Sequence, residues 1–165
     1  MENIYKSDID QAIAQKKDNK KLVQKLRKLS ERKIDDLFHD EHETVFESID
    51  CLSCANCCKT TSPIFRDIDI ARLSKHLKIS VANFISQYLR IDEDQDYVLK
   101  NSPCPFLMSD NMCQVYDSRP LACRTYPHTD RKKMKQILNL TLKNTEICPA
   151  VGRIFSNLHL KINKS

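Results

Sequence analysis

Cys51, Cys54, Cys57 and Cys58 fall within eight residues, C-L-S-C-A-N-C-C, and Cys104, Cys113, Cys123 and Cys148 follow. Thiolates are soft ligands for zinc, iron and iron–sulfur clusters, and a C-x2-C step lets one backbone turn aim two sulfurs at one ion. Eight thiols in 165 residues are far more than packing explains, and they suffice for two four-ligand sets. Cys51, Cys54 and Cys57 recur every third residue, a spacing that puts sulfurs on one side of a helical or 3₁₀ turn. Cys58 follows Cys57 directly and must point elsewhere, toward a second metal or into one polynuclear cluster that meets both. With every cysteine a ligand, no coordination position stays open, and the chemistry is structural or electron-carrying rather than hydrolytic.

The alternative use of eight cysteines is a disulfide framework. The first residues, M-E-N-I-Y-K-S-D, lack the apolar core and small-residue cleavage site of a signal peptide, and no apolar run approaches a membrane span. The expectation is a cytoplasmic protein without membrane contact, in a compartment that keeps thiols reduced and favours metal. With no Trp, 7% aromatic and 30% charged residues, the core is modest, so a structural metal worth on the order of 10 kcal/mol would matter. A net charge of +5 is mild for a nucleic-acid-binding chain, so a nucleic-acid partner is not expected. A single glycine, Gly152, excludes Walker A loops and dinucleotide fingerprints, which need several.

The positioning elements read as mostly helical. Ser7-Asp8 caps a short helix to about Lys17. One longer helix is predicted from Asn19, with Leu22, Val23, Leu26, Leu29, Ile34, Leu37 and Phe38 at three- and four-residue spacing, continuing through Val45, Phe46 and Ile49. Its charged face is a candidate protein-partner surface. Asp67 to Leu77 and the Ser80-capped Val81 to Leu89 read as two further helices. The second has no Arg or Lys, which speaks against a DNA-reading helix–turn–helix. Tyr97 to Leu99 reads as a strand. Phe106 to Met108 and Met112 to Tyr116 read as a hairpin turning on Asp110-Asn111, with Cys113 just past the turn. Cys104 sits between two prolines, and Cys123 lies in a helix opened at Asp117 or Ser118 with Pro120 in its first turn. Lys132 to Leu142 fits helix or strand. Cys148-Pro149 begins a last helix, whose dipole favours thiolate. The fold class expected is mainly α with a short β-hairpin, a small α+β protein wrapped around a cysteine metal centre. Residues 1–48 form a helical arm and 49–165 the cysteine-cluster domain.

These residues carry a resemblance. Cys51-x2-Cys54-x2-Cys57-Cys58, Cys104-Pro105-Phe106, C-Q-V-Y-D-S-R-P-L-A-C-R-T-Y-P from Cys113 to Pro127, and Cys148-Pro149 are together similar to the YkgJ-type CxxCxxCC family. Ala55 stands where such proteins often have Gly. The resemblance implies a zinc- or iron-chelating, or iron–sulfur cluster-containing, protein, with a [4Fe–4S] cluster among the options and all eight cysteines as ligands. Flagellin lysine N-methylases carry a related cluster, so redox or methyl transfer is the implied enzymatic alternative; the sequence decides no enzymatic role. Arg119 and Arg124 lie in the matched motif, where they offset thiolate charge or bind an anion, or else hold nearby carbonyls. His39 and His42, in an acidic and exposed-looking stretch, and His128, because eight cysteines suffice, are lesser ligand candidates. The remaining reading is a zinc-stapled binding module, for protein or for nucleic acid through the basic early helix or Arg131-Lys132-Lys133.

Overall fold

A computed structural model describes residues 3–163. In chain order the helices are α1 (Lys6–Ala14), α2 (Lys16–Leu26), α3 (Glu31–Phe46), α4 (Cys51–Cys54), α5 (Asn56–Thr60), α6 (Asp67–Leu77), α7 (Val81–Tyr88), α8 (Leu121–Thr125), α9 (Leu138–Asn144) and α10 (Pro149–Asn163). Strands β1 (Leu89–Ile91) and β2 (Tyr97–Leu99) pair antiparallel between α7 and α8. The mainly helical class with one short hairpin is as expected. Among the described residues, no helix is long and apolar enough to cross a membrane.

The chain folds into two compact units interleaved in sequence, Ala55–Tyr126 and residues 3–54 with 127–163. The second unit therefore spans both sides of the division drawn at residue 48. In it, α10 buries Val151, Ile154, Phe155 and Leu158, and Phe155 meets Phe38 of α3 edge-on at 6.2 Å. Glu41, buried on α3, is held by Lys161 Nζ at 2.6 Å and Asn157 Nδ2 at 2.7 Å, both from α10. Gly152 serves close approach rather than a turn. A Cβ there would lie 3.2 Å from the Ala12 Cβ of α1 and 3.4 Å from the Asp8 carbonyl. Gly152→Leu is therefore expected to lower the unfolding free energy by about 2 kcal/mol through overpacking, read in a urea titration.

The single long helix expected from Asn19 is two, and this corrects the reading. Ser30 is extended (φ −67°, ψ 153°), and its Oγ accepts from Lys33 N–H at 3.3 Å, so a new helix starts there. The apolar stripe runs through because Leu22, Val23, Leu26, Ile34 and Phe38 are all buried in the same unit. The undecided stretch 132–142 is helical, a 3₁₀ turn Met134–Ile137 leading into α9.

In Ala55–Tyr126 the core is Phe65, Ile70, Leu73, Phe84, Leu89, Leu99, Phe106 and Val115, with Cys104 and Cys113 packed against it. Phe84 lies 6.2 Å from Phe65, 5.2 Å from Tyr88 and 6.1 Å from Phe106, ring centre to ring centre. The two-stranded sheet forms where the chain leaves α7, Leu89 pairing with Leu99, so Leu89 opens β1 and does not end the helix expected from Val81 to Leu89. The hairpin expected at 106–116 is reduced to one bridge, Leu107 with Cys113, flanked by Met108 N–H to Met112 O and Gln114 N–H to Phe106 O, each at 2.8 Å. Its turn is as read, with Asn111 left-handed at φ 67°.

With the one glycine in a helix, left-handed turns fall on other residues. Lys78 ends α6 at φ 56°, its N–H on Lys75 O while Ile79 N–H reaches Ser74 O. It is exposed, so glycine relieves strain without losing packing. Lys78→Gly is expected to raise stability by about 0.5–1 kcal/mol, seen as an upward shift of the thermal midpoint.

Candidate metal centre

The cysteine run is not one turn. α4 ends at Cys54, Ala55 turns left-handed (φ 48°, ψ 16°), and α5 starts afresh with Cys57 and Cys58. The three-residue period of Cys51, Cys54 and Cys57 is thus broken between its second and third members, which corrects the one-sided turn expected from spacing. The unit boundary falls at the same point. Cys51, Cys54 and Cys148 belong to the unit of residues 3–54 and 127–163; Cys57, Cys58, Cys104, Cys113 and Cys123 belong to Ala55–Tyr126. No disulfide joins Cys58, Cys104, Cys113, Cys123 or Cys148.

Four of these cysteines are gathered within Ala55–Tyr126. Cys104 N–H donates to Cys58 O at 2.8 Å, fastening the α5 segment to the 104 loop. The Leu107–Cys113 bridge brings Cys113 back over that loop, and Pro120 O accepts from Cys123 N–H at 3.0 Å in the opening turn of α8. Cys104 feels the charge of Cys58 and Cys113, and Cys123 that of Cys58, Cys104 and Cys113. Burial pushes Cys104 up to about 11 and Cys123 to about 12, and raises Cys113 as well. Cys58 moves the other way, to about 7, because it takes a hydrogen bond from Cys57; the charges of Arg119 and Lys59 help against its burial. In the other unit burial pushes Cys148 up to about 12, and Cys51 and Cys54 add to the rise.

Among the described residues, no three side chains of Cys, His, Asp or Glu already stand in ligating positions. The donor chemistry nonetheless fits zinc or iron, since Cys58, Cys104, Cys113 and Cys123 lie in one unit within reach of one another's charge and thiolate sulfur suits both metals. A family model, CxxCxxCC, described as "Putative zinc- or iron-chelating domain", matches residues 50–149. The chain belongs to the CxxCxxCC family. No curated protein and no solved structure matches it.

The CxxCxxCC domain positions its thiols with a buried carboxylate that sequence reading overlooked. Asp69, on α6, is fully buried. Its oxygens accept from Arg66 Nε at 2.9 Å and Nη2 at 3.1 Å, from Arg72 Nη2 at 2.7 Å and from Leu121 N–H at 3.3 Å. Arg72 Nη2 also donates to Arg119 O at 2.7 Å, and its Nε to Ser118 O at 3.3 Å. The segment between Cys113 and Cys123 is thus tied to α6 by charge-assisted bonds. The available signal was the flanking pair, since Arg66 and Arg72 stand three residues before and after Asp69.

The two arginines of the CxxCxxCC motif divide the roles open to them. Arg124 holds carbonyls, Nε on Arg119 O and Nη2 on Asp117 O, both at 3.0 Å. Arg119 donates Nε to Tyr116 O at 2.7 Å and lies 3.5 Å over the Tyr116 ring, with its charge reaching Cys58, Cys113 and Cys123. His39 Nε2 donates to Arg131 O at 2.8 Å, and His42 Nδ1 shares a hydrogen with Thr129 Oγ1 at 2.7 Å, so both fasten the 129–131 segment. His128 is half-buried in the same unit at φ 66°, where burial lowers its pKa.

Proposed function

We propose that this CxxCxxCC protein chelates zinc or iron, as ions or as an iron–sulfur cluster, with cysteine sulfur as its only ligand type. Cys58, Cys104, Cys113 and Cys123 form the principal set, with Cys57 beside Cys58; Cys51, Cys54 and Cys148 serve a second set in the other unit. The reading rests on one observation, cysteines from separate stretches of chain folded close together in one unit, Cys104 by its N–H bond to Cys58 O and Cys113 by the Leu107–Cys113 bridge, with Cys123 near enough to feel the charge of all three. A bound ion would cross-link these stretches of chain, and a cluster would add an electron store. Arg119 offsets the charge of the thiolates, and Arg124 holds the loop that carries Arg119. A reducing cytoplasm and a YkgJ-type relationship belong to the same reading, as does a cysteine-bearing segment 49–165 preceded by a helical arm at 1–48.

Purification without exposure to air, followed by elemental and sulfide analysis, tests it. At least one zinc or iron per chain is expected, and Cys104→Ser or Cys123→Ser should lower that content. Less than one metal per chain overturns the reading. A brown protein with stoichiometric sulfide selects the cluster, and a colourless zinc protein selects the ion.

A further inference from the structure

Residues 27–35 and 131–135 carry a net charge of +6, whereas the whole chain carries +5. Everywhere else, positive and negative charges nearly cancel. The fold sets these two segments side by side in one unit. The Asp35 carboxylate accepts from Lys133 N–H and Met134 N–H, each at 2.8 Å. Lys135 Nζ donates to Leu29 O at 2.9 Å, at the turn between α2 and α3. Arg27, Lys28, Arg32, Lys33, Arg131, Lys132 and Lys133 are exposed, and Lys135 is half-buried. Among the described residues, none of these eight cations makes an ion pair, although Lys6, Lys16, Lys21, Arg66, Arg72, Arg153 and Lys161 do. Asp35 is occupied by backbone N–H groups, which leaves Glu31 on the face and Asp36 and Asp130 at its edge.

Like charges gathered this closely repel and destabilise the fold unless a polyanion shares the surface. We infer that this face binds the phosphate backbone of double-stranded nucleic acid. A membrane surface is the poorer match, because buried apolar side chains add to the charge attraction in interfacial binding, and none of the large exposed hydrophobic residues falls in 27–35 or 131–135. No exposed aromatic lies there either, so there is no platform for stacking single-stranded bases. What remains is cation-to-phosphate contact, which is blind to sequence and sensitive to salt. The mild overall charge conceals this because the cations of the two segments lie about a hundred residues apart in sequence and meet only in the fold.

The test is fluorescence anisotropy of the full-length protein with a labelled 20-base-pair DNA or RNA duplex of mixed sequence. If about four phosphates are engaged, log K should fall against log [KCl] with a slope near −4, roughly a 200-fold loss between 50 and 200 mM. The triple variant Lys28→Glu, Arg32→Glu, Lys132→Glu should weaken binding at least tenfold and flatten the slope, with unchanged circular dichroism and metal content. Lys75→Glu, Lys78→Glu, Arg90→Glu makes the same charge change in the other unit and should have a smaller effect. Absent binding at 50 mM KCl, salt-independent binding, equal losses in the two triple variants, or binding to phosphatidylserine vesicles but not to duplexes would each overturn the assignment. None of these outcomes depends on which metal the cysteines hold.

Discussion

Asp69→Asn is expected to lower the unfolding free energy by about 3 kcal/mol, the low end of what breaking a buried ion pair costs. The replaced carboxylate is fully buried and accepts from two guanidinium groups and from the Leu121 amide. The amide keeps the shape but turns one acceptor into a donor that faces other donors. Arg66, half exposed at 50%, recovers hydration when its partner is lost; Arg72, at 31%, recovers less and also loses its alignment on the Arg119 carbonyl. Hydration of Arg66 sets the estimate at the low end, and the stranded Arg72 keeps it well above the 0–1 kcal/mol of a surface pair. Urea unfolding followed by circular dichroism checks it. A loss under 1 kcal/mol would show that the network contributes no more than a surface pair.

The same network fixes a pH dependence. Burial alone would raise the Asp69 pKa, but Arg66 and Arg72 overcome it and hold the carboxyl well below the ordinary carboxylate range. A folded-state pKa below the unfolded value of about 3.9 gives stability that is present above that pH and lost as pH falls beneath it. Acid unfolding of the wild type should therefore steepen below about pH 4, and Asp69→Asn should remove that part of the slope.

How much of this was legible depended on whether the determinant was local. Ser80 capping α7 and Pro149 opening α10 act within a few residues of themselves, and both elements appear where local signals place them. Asn111 takes the left-handed angle its turn needs for the same reason. The break at Ser30 was hidden because burial of Leu26 and Ile34 in one core extends the helical period across a non-helical turn. The distribution of the cysteines was hidden at Ala55, since alanine itself does not announce the left-handed turn (φ 48°) that ends α4 at the boundary between the units. Asp69 was overlooked because its partners beyond the helix, Leu121 and the Arg119 carbonyl reached through Arg72, lie some fifty residues away. Eight cysteines announced the chemistry; their grouping required the fold.

Lowering the pH from 8 to 7 is expected to weaken metal binding at the four-sulfur set by roughly a thousandfold, because each thiol that must lose a proton contributes about tenfold per pH unit. Burial holds Cys104 and Cys123 far above the ordinary thiol value of 9.0, at about 11 and about 12, and raises Cys113, so all three are protonated in the metal-free protein at pH 8. Cys58, at about 7, has largely lost its proton already and adds less than a full one. Zinc added in weak buffer at pH 8 should therefore release about three protons per ion at this set, and a competing chromophoric chelator, corrected for its own protonation, should report the thousandfold change. Release of fewer than two would mean that these sulfurs are not the ligands. The metal-free fold has the opposite slope. Thiols whose folded pKa lies above the unfolded value give stability that is present below about pH 9 and lost as pH rises toward 11 and 12. Between pH 9 and 11 the stripped protein should thus lose stability that the loaded protein keeps. A chelator-treated sample that tracked the loaded one across that range would show that the metal does not draw on these thiols.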